Sequence, residues 1–148
     1  MSLSKLYGWI GFSVLGLAAA CVLLMQLPGM KIYASGDVRV GDIIEFGNYD
    51  WRVLEVRGNQ VLILTDRVIV RRRYHHSLDD ITWETSEIRR WLNEEFFNRF
   101  SQQDQARIAQ ATVVNNNNQW LGTSGGNNTT DRVFLLSLDE VVSYLGDR

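Results

Sequence analysis

The sequence predicts an α+β protein: an N-terminal transmembrane helix, then a small domain with an antiparallel β-meander and two to three helices. Three observations point there. An uncharged apolar run opens the chain, from Leu6 to Leu27. Short apolar segments separated by turn residues follow, from Asp42 to Thr65. After Ser86 the apolar spacing changes to threes and fours, the period of a helix. A length of 148 residues allows one domain with an appendage. The expected division is a membrane anchor or signal segment over residues 1–29, a juncture over 30–36, and an α+β domain over 37–148.

The run from Leu6 to Leu27 holds about 22 residues, enough at ~1.5 Å per residue to cross a hydrocarbon core of about 30 Å. Tyr7 and Trp9 stand where amphipathic rings favour the headgroup region, and Pro28-Gly29 stops the helix. Two other readings compete. A cleaved secretory signal would be cut near Ile32-Tyr33-Ala34, although Ile is unusual in that setting. Lipoprotein processing would use Ala18-Ala19-Ala20-Cys21, where Leu is usual at the position of Ala18. Within a membrane helix Cys21 reads simply as a small apolar residue. Lys5 on one side and Lys31 with Arg39 on the other nearly balance, so charge sets no orientation. The very short amino tail favours a carboxyl domain outside the cytoplasm.

Asp42 to Phe46 reads as a strand, Gly47-Asn48-Tyr49-Asp50 as a turn, and Trp51, Val53 and Val56 as members of a second strand. Arg52 and Glu55 are its expected solvent-facing positions. Arg57-Gly58-Asn59-Gln60 supplies another turn before the buried strand Val61 to Thr65, and Val68-Ile69-Val70 is expected to prolong the meander. Ser86 is a candidate N-cap for a helix burying Ile88, Trp91, Leu92 and Phe96. Ser101 with Asp104 opens a second helix, expected to bury Ile108 and Ala109. Thr112 to Val114 is a short strand, residues 115–132 a loop, and Val133 to Leu136 another strand. Ser137 and Glu140 form a capping box for a last helix bearing Leu138, Val141, Val142 and Leu145.

Composition narrows function by exclusion. A formal charge of −2 gives no support to nucleic-acid binding. One Cys rules out an internal disulfide framework and a multi-cysteine metal site. No nucleophile–base order, phosphate-cradling glycine loop or activated thiol is present, so no catalytic residue is assigned and no cofactor is implied. Tyr74-His75-His76-Ser77-Leu78-Asp79-Asp80 gathers metal-binding residue types, but adjacent His side chains converge poorly unless the loop folds tightly. It reads better as a solvated polar loop, with no metal ligand assigned. Arg71, Arg72, Arg73, Arg89 and Arg90 could form a basic patch, but Glu84, Glu87, Glu94 and Glu95 favour a salt-bridged surface. Trp51, Trp83 and Trp91 have apolar neighbours and are expected in the core.

The candidate binding residues lie in the Asn- and Gly-rich loop: Asn117, Trp120, Thr123, Ser124, Asn127 and Asp131. Amide and hydroxyl groups beside an indole suit a saccharide face. A calcium site is disfavoured because Asp131 is the loop's one carboxylate. The other reading of GTSGGNNTT is an ordered turn, with glycines permitting positive φ and polar side chains satisfying the backbone.

The succession WRVLEV, TWETSEIRRWLNEEFFNRF and TVVNNNNQWLGTSGGNNTTDRVFLLSLDEV resembles the bacterial domain-of-unknown-function family numbered 6273, over roughly residues 40–146. The resemblance implies a cell-surface or secreted setting and a C-type-lectin-like fold shared with formylglycine-generating-enzyme relatives. The cysteine pair that those enzymes need is missing after Cys21. Members also carry a WWLRSPG-like segment and a GVRPAL-like strand, both lacking here. An open sheet edge, or a partner that completes the sheet, is therefore expected.

The resulting expectation is a non-catalytic, membrane-anchored extracytoplasmic domain that recognises glycans or proteins. It would meet the bilayer through Leu6 to Leu27. The alternative is a structural or interaction module of a cell-envelope assembly, without a small ligand.

Overall fold

The computed structural model describes residues 17–19, 21–26, 38–77 and 79–146. Two strands lie where the sequence predicts a transmembrane helix: β1 (Leu17–Ala19) and β2 (Val22–Gln26). The rest of the Leu6 to Leu27 run lies outside the described residues. No helix among the described residues is long and apolar enough to cross a membrane. The correction has a physical cause. An uncharged segment can satisfy its backbone within a helix, or in a sheet that offers partners on both sides. β2 has partners on both sides, and its continuous apolar sequence suits a strand buried on both faces.

β3 (Ile43–Phe46) and β4 (Tyr49–Arg57) form the expected hairpin. Its turn is tighter than predicted. Gly47 and Asn48 alone make it, at φ of 59° and 67°, the left-handed pair of a type I′ turn. Tyr49 and Asp50 therefore join the strand. β5 (Gln60–Thr65) pairs with β4, and a register shift between Val53 and Glu55 inserts Leu54 as a bulge. Beyond it Val56 is exposed. β6 (Val70–Arg72) does not prolong the meander; it pairs with β1, Leu17 facing Arg72.

Ser86 caps α1 (Glu87–Trp91) as expected, its hydroxyl accepting from the Arg89 N–H. The helix continues as a π-helical turn over Leu92–Phe96 and a 3₁₀ turn over Phe97–Arg99. α2 (Gln102–Gln105) ends before Ile108 and Ala109, which form β7 (Ile108–Ala109) against β2 instead of a helix face. β8 (Ala111–Val113) pairs with β9 (Thr129–Asp131), so a strand closes the end of the predicted 115–132 loop. β10 (Val133–Phe134) pairs with β2, and α3 (Leu138–Leu145) has the full Ser137–Glu140 capping box.

The main sheet runs β10-β2-β5-β4-β3, with β7 also on β2, and these strands pair antiparallel. α1 and its continuation cover it with Ile88, Trp91, Leu92 and Phe96. Trp51, Phe46, Tyr49, Phe96 and Phe100 form an aromatic cluster with ring centroids 5.4 to 6.5 Å apart. The Trp51 indole N–H donates to the Phe46 carbonyl at 2.8 Å, so the buried ring leaves no polar group unmet.

Candidate functional site

The TW..S..R.WLN and T.D.VF motifs meet at one carboxylate. Asp131 is 2% exposed and accepts from Trp83 Nε1 at 2.9 Å, Arg89 Nε at 2.8 Å and Thr129 Oγ1 at 2.6 Å. The Arg89 guanidinium also donates to the Glu84 carbonyl at 3.0 Å. Asn93 extends the joint: its Oδ1 accepts from the N–H groups of Arg132 and Val133, while Nδ2 donates to the Arg89 and Val133 carbonyls. Asp131, one of the candidate binding residues, thus ties α1 to β9, with both carboxylate oxygens accepting from protein donors. The ion pair that Arg89 makes is thus with Asp131, and not with the neighbouring glutamates expected to pair with the arginines.

Most other predicted binding residues spend their polar atoms shaping the loop. Asn117 Oδ1 accepts from the buried Gly125 N–H at 3.2 Å, and Ser124 Oγ from the Gly126 N–H at 3.2 Å. The Thr123 carbonyl accepts from the Asn118 N–H at 2.9 Å. Asn127 donates through Nδ2 to Glu84 Oε2 at 3.0 Å, and its carbonyl accepts from Asn115 Nδ2. A Cβ at Gly125 would strike the Asn115 and Asn116 carbonyls, so the close approach requires glycine. Trp120 differs: its side chain projects from the loop, with the residue 66% exposed. Asn127 is brought to the rim of a shallow groove of about 400 Å³ lined by Glu84, Ser86, Arg89, Arg90, Asn93 and Glu94.

The second surface feature is α3. Tyr144 donates to Glu55 Oε2 at 2.8 Å and, with Glu140, lines a cleft against Leu24, Leu62 and Phe134. Desolvation, then the Glu55 carboxylate, raises the Tyr144 hydroxyl pKa. Hydrogen bonding from Arg57, aided by Tyr144, holds Glu55 below the usual carboxylate value. With that face turned inward, Leu138, Val141, Val142 and Leu145 face solvent as a stripe at helical spacing. Gln119 Nε2 contacts Asp139 at 3.3 Å, which sets the loop tip with Trp120 and exposed Leu121 beside this helix. The amphipathic period of α3 is legible in sequence; that its apolar side points outward is not.

A third cluster forms where tight folding of residues 74–77 overcomes the poor convergence of adjacent His. His75 and His76 ring centroids are 4.4 Å apart, and His76 Nδ1 lies 2.8 Å from Glu87 Oε1. Desolvation is the largest influence on Glu87 and raises its pKa. The His76 hydrogen bond and the charges of His76, His75 and Arg90 together outweigh it, leaving the carboxyl below its ordinary value. Glu87 was hidden from sequence reasoning because it stands eleven positions from His76, on the first turn of α1.

Cys21 is fully buried. Burial pushes its thiol up to about 12, so it is a protonated core residue and no nucleophile.

No curated protein and no solved structure gives a significant match to this chain. One family model does match, over residues 58–148, more than half of the chain. The match starts after the Trp51–Val56 segment and takes in both interlocking motifs around Asp131, and on it the chain belongs to the family described as Domain of unknown function (DUF6273).

Proposed function

We propose that this chain is a non-catalytic interaction module of the cell envelope that docks a protein partner on the outer face of α3, beside Trp120. One observation carries the reading. Leu138, Val141, Val142 and Leu145 lie on a single exposed helix face, while the opposite face is fastened to the sheet through Tyr144. A contiguous apolar surface of this kind is characteristic of protein recognition.

Glycan recognition is the second reading, and the exposed Trp120 indole favours it. It is weakened because Asn117, Ser124 and Asn127 already hold loop or neighbouring groups. The C-type-lectin-like character implied by the family resemblance belongs to that second reading. Extracytoplasmic placement is part of the proposal and rests on the apolar N-terminal run.

A photo-crosslinking residue at Val142, introduced in the full chain in producing cells, tests this. The expected result is a discrete protein adduct that is absent when the same group replaces exposed Glu94. No adduct from position 142 would sink the reading. A saccharide that raises the melting midpoint, with the rise lost in Trp120→Ala, would establish the glycan reading instead.

A further inference from the structure

We propose that His75, His76 and Glu87 form a binding site for a first-row divalent cation of the zinc class. Each residue offers one ligand atom, and these three atoms lie within 4.8 Å of one another. Donors about 2.1 Å from one tetrahedral ion are about 3.4 Å apart, so side-chain rotations of roughly an ångström close the set. The two sides of the site are already joined. The Ile88 N–H donates to the Tyr74 carbonyl at 3.1 Å, binding the His-bearing loop to the first turn of α1.

A second observation points the same way. His75 Nδ1 is shielded from solvent and has no hydrogen-bond partner among the described residues. A buried ring nitrogen without a partner is uncommon, and none of the described residues supplies one. His76 Nδ1 and Glu87 Oε1, by contrast, face each other at 2.8 Å, where a cation would take the place of the shared proton.

Donor chemistry selects the ion. Two imidazoles and one carboxylate suit Zn²⁺, Co²⁺, Ni²⁺ or Cu²⁺, whereas Ca²⁺ and Mg²⁺ prefer an oxygen shell. Three protein ligands leave a coordination position open. With the His76 side chain 69% exposed, the cluster lies at the surface, where water or a partner's side chain can reach a bound ion. Arg90 acts on Glu87 electrostatically and lowers affinity for a cation.

The test is titration of the full, tag-free chain with ZnCl₂ followed by calorimetry, and with CoCl₂ followed by visible absorption. Saturable one-to-one binding is expected, with a raised melting midpoint. His76→Ala, at an exposed position, and the near-isosteric Glu87→Gln should each weaken binding by roughly tenfold or more while the metal-free melting curve stays cooperative. Absence of saturable binding overturns the site, as does binding of undiminished affinity in both variants. The site is independent of the α3 face, so failure of either proposal leaves the other standing.

Discussion

Cys21 and Thr65 bond to each other twice. The Cys21 N–H donates to Thr65 Oγ1 at 3.1 Å, and the Thr65 N–H donates to the Cys21 carbonyl at 3.0 Å. This joint fixes the start of β2 to the end of β5. From there β2 runs as an inner strand, with Leu23 opposite Ile63 on one side and Val133 on the other.

Removing that strand should abolish cooperative folding. A fragment over residues 36–148 keeps the aromatic cluster but leaves β5 and β10 without their shared neighbour, exposing Val61, Ile63 and Val133. The full chain should melt sharply by tryptophan fluorescence, and the fragment broadly or not at all. Within the full chain, Leu23→Ala should cost about 2–5 kcal/mol, because Leu23 is wholly buried. A sharp transition in the fragment would show that the sheet closes without β2.

The Cys21 thiol makes the fold sensitive to alkali. Its pKa is raised from 9.0 to about 12 by burial, so the unfolded chain loses this proton first. Unfolded chains then bind fewer protons than folded ones, and stability falls as pH rises through that interval. Urea titrations at pH 8 and pH 10 should show a loss in the wild type that Cys21→Ala reduces. Maleimide should label the thiol only after denaturation. The same burial opposes lipidation of Cys21, and cleavage after Ala34 would remove β2. The mass of the folded protein should therefore include residues 17–26.

Asp131→Asn should destabilise the protein by about 3–5 kcal/mol, because Arg89 would keep its buried-side charge without a counter-ion. Denaturant unfolding measures this. A change within ~0.5 kcal/mol would mean that the two motifs are not coupled through this carboxylate.

Gly47→Ala should also destabilise, by about 1–3 kcal/mol. Its φ is +59°, and a Cβ there would run into the Phe100 ring. Gly58 has the same φ in the next hairpin but open space around it, so Gly58→Ala should suffer the backbone penalty alone. Comparing the two midpoints separates strain from collision.

Local rules were enough for much of this chain. The places of the turns at Gly47 and Gly58, though not the two-residue length of the first, the Ser86 cap and the Ser137–Glu140 box depend on neighbours within a few residues and were legible as sequence. So were the buried indoles of Trp51 and Trp91, whose apolar surroundings follow strand and helix periods; Trp83 is buried as expected, but from the turn ahead of α1. The tertiary structure decided matters that depend on distant partners. An apolar run such as Val22–Gln26 suits a helix or a strand equally well, and only β5, β7 and β10 beside it select the strand. Asp131 looked available in a polar loop until Trp83 and Arg89, more than forty residues away, occupied its oxygens. His75 and His76 looked divergent until the loop folded onto Glu87. Periodicity marks the apolar side of α3, but which way that side faces follows from Tyr144 reaching Glu55 across 89 positions of sequence.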